Sequence, residues 1–337
     1  MNRRHEIIGG AVNRVFPGQE IHALWLVSQR WGTELYFVDV LGKSGIERYV
    51  LRRFVSDDSV RQCQHEAQIL IYLKKYDFPS PNLIAHLANE DVGHDCWTIT
   101  KYIHGNTLDE PVDQSKCSLM DQYLEQFVKL LARLHQIPLQ GIEIKSLETL
   151  LDYKSEIVDS NIATRARKIF SNYSWGIEFA QLIDWAESQL AMAGEPIKVL
   201  VHNDYHPGNI VKAPDGTLNL IDWVDARITD LRFELGWVLM LADAYGSPKM
   251  RDKILSLYKK YHNIETGNIE IFEIIAALRR IYLRNQLALN KKTFGVSQGG
   301  PVFRGEDVDH LRKICNSVFK ITGIRLVSVE GALNRIR

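Results

Sequence analysis

The run His202-Asn203-Asp204-Tyr205-His206-Pro207-Gly208-Asn209-Ile210, with Ile221-Asp222-Trp223 downstream, constrains this chain more than any other feature. After Asn209 comes a short apolar run, Ile210-Val211. A turn signal follows, Ala213-Pro214-Asp215-Gly216-Thr217, and then a second apolar run ending at Leu220-Ile221. Two short arms of similar length around Asp-Gly read as a β-hairpin. Such a hairpin returns the chain to its start, so Asp222 is expected beside Asn209, thirteen positions away. An amide oxygen next to a carboxylate is a pair of hard ligands suited to Mg²⁺. Asp204, one tight turn earlier, can then reach a hydroxyl lying beside a metal-bound phosphate. The chemistry this favours is phosphoryl transfer, in which the protein mainly positions groups and neutralises charge, and one carboxylate is enough. An isolated loop Asp more often serves turn N–H groups. It is the nonapeptide and the hairpin together that single out Asp204.

The H-x-D-x-x-x-x-N element with a downstream Asp resembles the catalytic core of the protein-kinase-like superfamily. The His-Asn-Asp-Tyr-His-Pro-Gly-Asn version, with Ile-Asp-Trp in place of Asp-Phe-Gly, is similar to the aminoglycoside phosphotransferase and choline kinase branch. Other matches run in order along the chain: Tyr49-Val50-Leu51-Arg52-Arg53, His65-Glu66-Ala67, Leu131-Ala132-Arg133-Leu134-His135 and Thr229-Asp230-Leu231-Arg232-Phe233-Glu234-Leu235.

The resemblance implies ATP and Mg²⁺ as cofactors, with GTP left open as the donor, and a set of roles. Asp204 orients the acceptor hydroxyl, and His206 stands where protein kinases often carry a Lys facing the transferred phosphate. Asn209 and Asp222 hold the metal. Arg52 pairs the α- and β-phosphates and is itself paired by Glu66. Arg52 departs from the usual Lys, although a guanidinium forks well onto phosphate oxygens. Alternation favours Arg52, which shares a face with Val50 while Arg53 shares one with Leu51 and Tyr49, but the register leaves Arg53 open as the inward-facing cation. Two solvent-facing strand arginines are the bland alternative. In the loop Ser28-Gln29-Arg30-Trp31-Gly32-Thr33 a single glycine, Gly32, replaces the usual several. Ser28 and Thr33 hydroxyls and backbone N–H groups are the remaining phosphate contacts there. Thr100 and Tyr102, at the strand end and hinge, complete the nucleotide set. Asp230 and Glu234 are structural candidates, since in the resembled family a downstream acid braces the catalytic loop.

At 337 residues the chain has room for two unequal lobes. Its 45% hydrophobic and 24% charged residues are those of an ordinary globular protein. Lys plus Arg and Asp plus Glu both number 41, and no basic block appears, so neither nucleic acid nor an anionic membrane is indicated as a partner. No apolar stretch is long enough for a signal peptide or a membrane span. Cys63, Cys96, Cys117 and Cys315 are scattered without a CxxC pair, which favours reduced thiols in a cytoplasmic protein.

Residues 20 to 55 read as three antiparallel strands. Ser56-Asp57-Asp58-Ser59 is a cap signal for a helix that Phe78-Pro79-Ser80-Pro81 stops. Two more strands, Pro81 to Ala88 and Cys96 to Ile103, flank the turn Glu90–Asp95. With the resemblance, the expected fold is α+β and bilobal: residues 1–103 would form a nucleotide-binding N-lobe with a five-stranded sheet and one main helix. Residues 104–337 form a mainly helical C-lobe with the hairpin as its one clear β element. Helical periodicity marks Leu119–Leu134, Ile177–Met192, Leu235–Tyr245, Ile254–Tyr261 and Ile271–Leu289. Phe294–Pro301 is loop, and the tail after Ile321 is unassigned.

The sum is an ATP-dependent O-phosphotransferase, aminoglycoside phosphotransferase-like, acting on a small hydroxylated metabolite or antibiotic bound by the helical lobe around residues 240–310. An acceptor with several amino groups would use Asp225, Asp243, Glu306 or Asp307. Two alternatives stand beside it. His202, Asp204 and His206 could form a metal-dependent phosphohydrolase site, though Pro207-Gly208 breaks the strand and no third His follows at ligand spacing. A catalytically weak nucleotide-binding regulator would account for the sparse loop and the missing Lys. The acceptor's identity and the oligomeric state are not legible.

Overall fold

A computed structural model describes residues 3–30, 32–42, 45–55, 58–88, 96–110, 119–140, 176–190, 193–288 and 303–336. Trp31, Ser56, Asp57, the turn Glu90–Asp95, Cys117 and Phe294–Pro301 lie outside these residues. The chain divides into two compact units. One takes in the described residues of Met1–Tyr123, Leu139–Glu148 and Pro207–Ala226, and the other those of Leu124–Pro138, Thr149–His206 and Arg227–Arg337.

In the first unit, helix α1 (Arg3–Val15) precedes strands β1 (Glu20–Arg30), β2 (Thr33–Gly42) and β3 (Gly45–Phe54). Helix α2 (Ser59–Lys75), strand β4 (Leu83–Ala88) and strand β5 (Cys96–Lys101) follow. The five strands form one antiparallel sheet in the order β1-β2-β3-β5-β4, the sheet expected from the alternating pattern. Helix α1 was not expected. It buries Ile8, Ala11, Val12 and Phe16 against Tyr36, Val38, Tyr49, Leu51, Trp97 and Ile99 of the sheet. Full burial of such side chains contributes roughly 1.5–3 kcal/mol each.

The alternation of β3 sorts its two arginines. Tyr49 and Leu51 face the α1 cluster, and Arg53 follows them to lie over the Trp97 ring (5.5 Å) and pair with Glu34 (3.0 Å). Arg52 points the other way, toward α2. The break between β1 and β2 is narrower than the expected six-residue loop. Ser28 is strand, paired with Leu35 beside a bulge, and Arg30 pairs with Thr33. Gly32 takes φ +74° there, a conformation that favours glycine.

The hairpin belongs to the same unit. Strands β8 (Ile210–Lys212) and β9 (Leu218–Leu220) pair Ile210 with Leu220 and Lys212 with Leu218. A short strand β6 (Asn106–Thr107) adds to the β8 edge. Gly105, at φ +147°, lets this strand approach, because a Cβ at that position would overlap the Lys212 carbonyl.

The second unit is largely helical: most of α3 (Leu119–His135), α4 (Gly176–Leu190), α5 (Leu231–Leu241), α6 (Pro248–His262), α7 (Ile269–Ala288), α8 (Val308–Thr322) and α9 (Val327–Asn334). Here the hairpin is not the sole β element after residue 103. Besides β6, strands β7 (Lys198–Val201) and β10 (Arg227–Asp230) pair antiparallel, Leu200 opposite Ile228. The unassigned tail contains α9, whose Val329, Ala332 and Leu333 are buried. Helix α5 packs closely on α7, since Gly236 leaves no room for a Cβ beside Phe272. Asp230 caps α5 by accepting from the Arg232 N–H (3.0 Å). A π-helical turn, Ala242–Gly246, ends α5. No described helix is long and apolar enough to cross a membrane.

Candidate active site

The loop after β7 is held from behind by Glu234 on α5. Its Oε1 accepts from the Asn203 N–H (2.6 Å), and its Oε2 accepts from the His202 N–H (3.2 Å). His135 Nε2 lies 2.9 Å from the same Oε2, and His135 Nδ1 lies 2.7 Å from the Tyr258 hydroxyl. Both Glu234 and His135 are buried. The brace works on a residue that needs one: Asn203 sits at φ +68°, a left-handed conformation that persists only where the surroundings fix it. From the other side Arg279 Nη1 donates to the Asn203 carbonyl (2.6 Å). Tyr205 is buried and donates its hydroxyl to the Phe127 carbonyl (2.7 Å). The loop is thus pinned at residues 202, 203 and 205, and Asp204 stands between pins.

His206 Nε2 is 3.5 Å from Asp204 Oδ2, with both side chains about a third exposed. Burial pushes the Asp204 carboxyl up. It is outweighed by the hydrogen bond and charge of His206, with Arg279 and His202 adding, so the acid is lowered to about 2. His202 is fully buried, and its Nδ1 accepts from the Asp204 N–H (3.3 Å). Among the described residues no group of three or more His, Cys, Asp or Glu could hold a metal ion. The hydrolase alternative, which needs His202, Asp204 and His206 as ligands, therefore lacks its centre.

The first unit carries the other candidates. Ile221 N–H donates to the Asn209 carbonyl (2.9 Å), so the hairpin does bring its two ends together. The Asp215 carboxylate accepts from Thr217 N–H (2.9 Å), and Gly216 takes φ +87° to close the turn. Asp222 follows at φ +70° with its side chain 44% exposed, while Trp223 is buried against Phe78 and donates Nε1–H to the Leu220 carbonyl (2.9 Å). The buried indole anchors the turn and leaves the acid accessible. A carboxylate and an amide from residues tied in this way fit Mg²⁺, which takes few protein ligands and all of them oxygen.

Arg52 joins the two acids of this region. Its Nε is 3.2 Å from Glu66 Oε1 and its Nη2 is 2.9 Å from Asp222 Oδ1. Thr98 donates its hydroxyl to the remaining Glu66 oxygen (2.6 Å). Burial alone would lower the Arg52 pKa, but Glu66, Asp222 and Asp225 outweigh it and raise it; burial raises Glu66 against the pull of Arg52 and Thr98. Of the two adjacent arginines it is Arg52 that reaches these groups. Ser28 is half-buried in β1, Gly32 lies in the hairpin turn, Thr33 begins β2, and Thr100 is buried in β5 opposite Val50. Tyr102 N–H donates to the Arg48 carbonyl (3.1 Å), and its ring packs edge-on against Phe37.

The acids expected to meet an amino acceptor do not form a wall in the second unit. Asp243 accepts from Ser317 (2.7 Å), Asp307 is buried beside Arg284 (3.1 Å), and Glu306 is exposed near Arg304. Arg279 was missed, because an arginine on a helix with this pattern reads as solvated surface.

The model of the phosphotransferase enzyme family matches residues 27–265, well over half of the chain. Among solved structures, a thermostable mutant of aminoglycoside phosphotransferase APH(4)-Ia, in ternary complex with ADP and hygromycin B, is 13% identical. The match covers 93% of this chain and 96% of that one, with a TM-score of 0.63. Macrolide 2'-phosphotransferase type I is 14% identical over 94% and 98% of the two chains, TM-score 0.62. Choline kinase LicA from Streptococcus pneumoniae is 16% identical over 95% and 100%, TM-score 0.61. At these identities the likeness is one of fold. No curated protein sequence matches the chain significantly.

Proposed function

Because the chain belongs to the phosphotransferase enzyme family, we propose that it transfers the γ-phosphate of ATP to a hydroxyl of a small molecule, with the residues above in specific roles. Asp204 holds the acceptor hydroxyl and takes its proton as the oxygen attacks phosphorus. Its low pKa keeps it an acceptor at neutral pH. His206, beside it, supplies a polar hydrogen toward the transferred phosphate. Arg52 exchanges its ion pair with Asp222 for the nucleotide phosphates while Glu66 keeps it oriented. Asn209 and Asp222 would hold Mg²⁺, which when bound supplies positive charge against the phosphate oxygens. Ser28, Gly32 and Thr33 cover the phosphates, and Thr100 and Tyr102 border the base. Residues 1–103 serve as the nucleotide-binding lobe and 104–337 as the catalytic and acceptor lobe. Scattered thiols, of which Cys63, Cys96 and Cys315 are free and buried, suit a cytoplasmic enzyme.

The observation that carries this reading is the Asn209–Ile221 tie, which sets the amide and the acid of the family motif at one end of a hairpin. An ADP-release assay coupled to a panel of hydroxylated acceptors tests it, with Asp204→Asn as control. Turnover on at least one acceptor that disappears in the variant is expected. Equal turnover by the variant would remove Asp204 from the chemistry, and a chain that binds no nucleotide would overturn the function itself.

A further inference from the structure

Helix α7 carries Arg279, Arg280 and Arg284, and through Arg279 it meets the loop that holds Asp204. Arg279 is tied to the loop at Asn203 and lies over the Trp237 ring (4.6 Å). Arg280 stands where the charge of Asp204 is felt. Its Nη2 donates to the Tyr245 hydroxyl, and its guanidinium lies over the same ring (5.2 Å). Arg284 Nη2 donates to that hydroxyl as well (3.2 Å), while its Nε faces the buried Asp307 (3.1 Å). His310 stacks on Tyr245 (4.6 Å, 20°), and Lys313 donates to the Gly246 carbonyl (3.1 Å).

The charges in this cluster do not balance. Asp307 offsets Arg284, but among the described residues no carboxylate lies within ion-pair distance of Arg280, and its Nε is buried without a hydrogen-bond partner. Burial and the neighbouring Arg284 both act against the Arg280 charge. His310 adds none, since burial and the two arginines push it down to about 3. Two guanidinium groups share one phenol; among the described residues Asp307 is the one carboxylate at ion-pair distance from either, and Asp204 acts on Arg280 only from further off. Tyr245, their platform, is 53% exposed and sits on the π-helical turn, a device common at functional sites. Of the acids on the neighbouring helices, Asp243 is engaged by Ser317 and Glu273 by Arg251.

We propose that Arg280 and Arg284, on the Tyr245 platform, bind a carboxylate or phosphate of the acceptor, so that the acceptor is a hydroxylated acid or a sugar phosphate and not a polyamine. This rests on the reading of Asp204 as the group that holds the acceptor hydroxyl. An oxyanion received by a guanidinium pair is a charge-assisted, geometrically specific contact.

The ADP-release assay decides the matter with acceptors matched in carbon skeleton: glycerate and gluconate as carboxylates, glycerol 3-phosphate and glucose 6-phosphate as phosphates, glycerol and glucose as neutral compounds, and ethanolamine, glucosamine and kanamycin as amines. The highest kcat/KM is expected in one of the two anionic arms, and which arm it is separates carboxylate from phosphate. Arg280→Gln should raise KM for the best anionic acceptor by about tenfold or more, with Arg280→Lys recovering part of it. Highest turnover on a neutral or amine compound overturns the inference and leaves the phosphotransferase reading intact. So does a nucleotide-binding chain that uses no anionic member. Loss of nucleotide binding as well would instead overturn the reading on which it rests. The wild-type panel alone decides between these, whatever the folding of the variants.

Discussion

Arg52 Nη2 lies 2.9 Å from Asp222 Oδ1, so the strand cation and the hairpin acid, 170 positions apart, form one ion pair. The same guanidinium holds Glu66 at 3.2 Å, and the Glu66 side chain is only 6% exposed. Removing Arg52 therefore leaves a buried carboxylate that accepts from the Thr98 hydroxyl and has lost its cation. Arg52→Ala should destabilise the protein by about 3–5 kcal/mol, the scale of a broken buried pair, and Arg52→Lys by less. Urea denaturation measures both. An Arg52→Ala protein within about 0.5 kcal/mol of wild type would show that the pair is not structural.

On Asp222 the Arg52 ion pair and the proposed Mg²⁺ site meet: Oδ1 faces the guanidinium, and the side chain is 44% exposed. Asp222→Asn removes the ligand charge and frees Arg52 for phosphate. Nucleotide binding by the variant should become nearly insensitive to Mg²⁺, whereas wild-type binding strengthens with it. Calorimetric titration of ATP with and without Mg²⁺ reads this directly, and an undiminished metal dependence in the variant would count heavily against the assignment.

Glu234 accepts from two loop N–H groups and meets His135 while fully buried. Glu234→Gln replaces one acceptor oxygen with a donor facing a donor, which leaves at least one buried N–H unpaired at about 1–3 kcal/mol. Because the strained Asn203 loses a brace, the effect should reach Asp204. A fall in kcat of about tenfold or more is expected, with the KM for ATP changed by less than about twofold. A purely structural role would lower the denaturation midpoint without that split.

These parts were unequally legible in the sequence. The hairpin was readable because its turn residues and apolar arms are local, and Asp215-Gly216 act through short-range geometry. The five-stranded sheet was readable from alternation, and so was the sorting of Arg52 from Arg53 to opposite faces. Helix α1 was not read, although Ile8, Ala11, Val12, Val15 and Phe16 fall at helical spacing. Gly9-Gly10 interrupt the pattern, and the partner that stabilises the helix is a sheet formed later in the chain. Strands β6, β7 and β10 are two to four residues long, too short for a period to register, and exist through pairing. The Arg280–Tyr245–Arg284 cluster had no signature at all, since it depends on a π-helical turn meeting a distant helix.

Burial raises the Asp204 carboxyl, but His206, Arg279 and His202 bring it to about 2, below the ordinary value for an aspartate. A carboxylate depressed in the folded state contributes stability that is present above its ordinary pKa, near 3.9, and lost as pH falls through the folded value. Asp204 is thus ionised across the whole neutral and mildly acidic range, and any acid limb of the rate profile above about pH 4 belongs to another group. His206 makes the largest downward contribution, through a hydrogen bond and its charge. In His206→Gln the Asp204 pKa should climb toward or past its ordinary value, because burial then acts with less opposition. Carboxyl carbon NMR, with the Asp204 signal assigned by its loss in Asp204→Asn, follows this from pH 7 down to about pH 4. The wild-type resonance should stay flat across that window while the variant's begins to move, and identical flat traces would show that His206 does not set the acid.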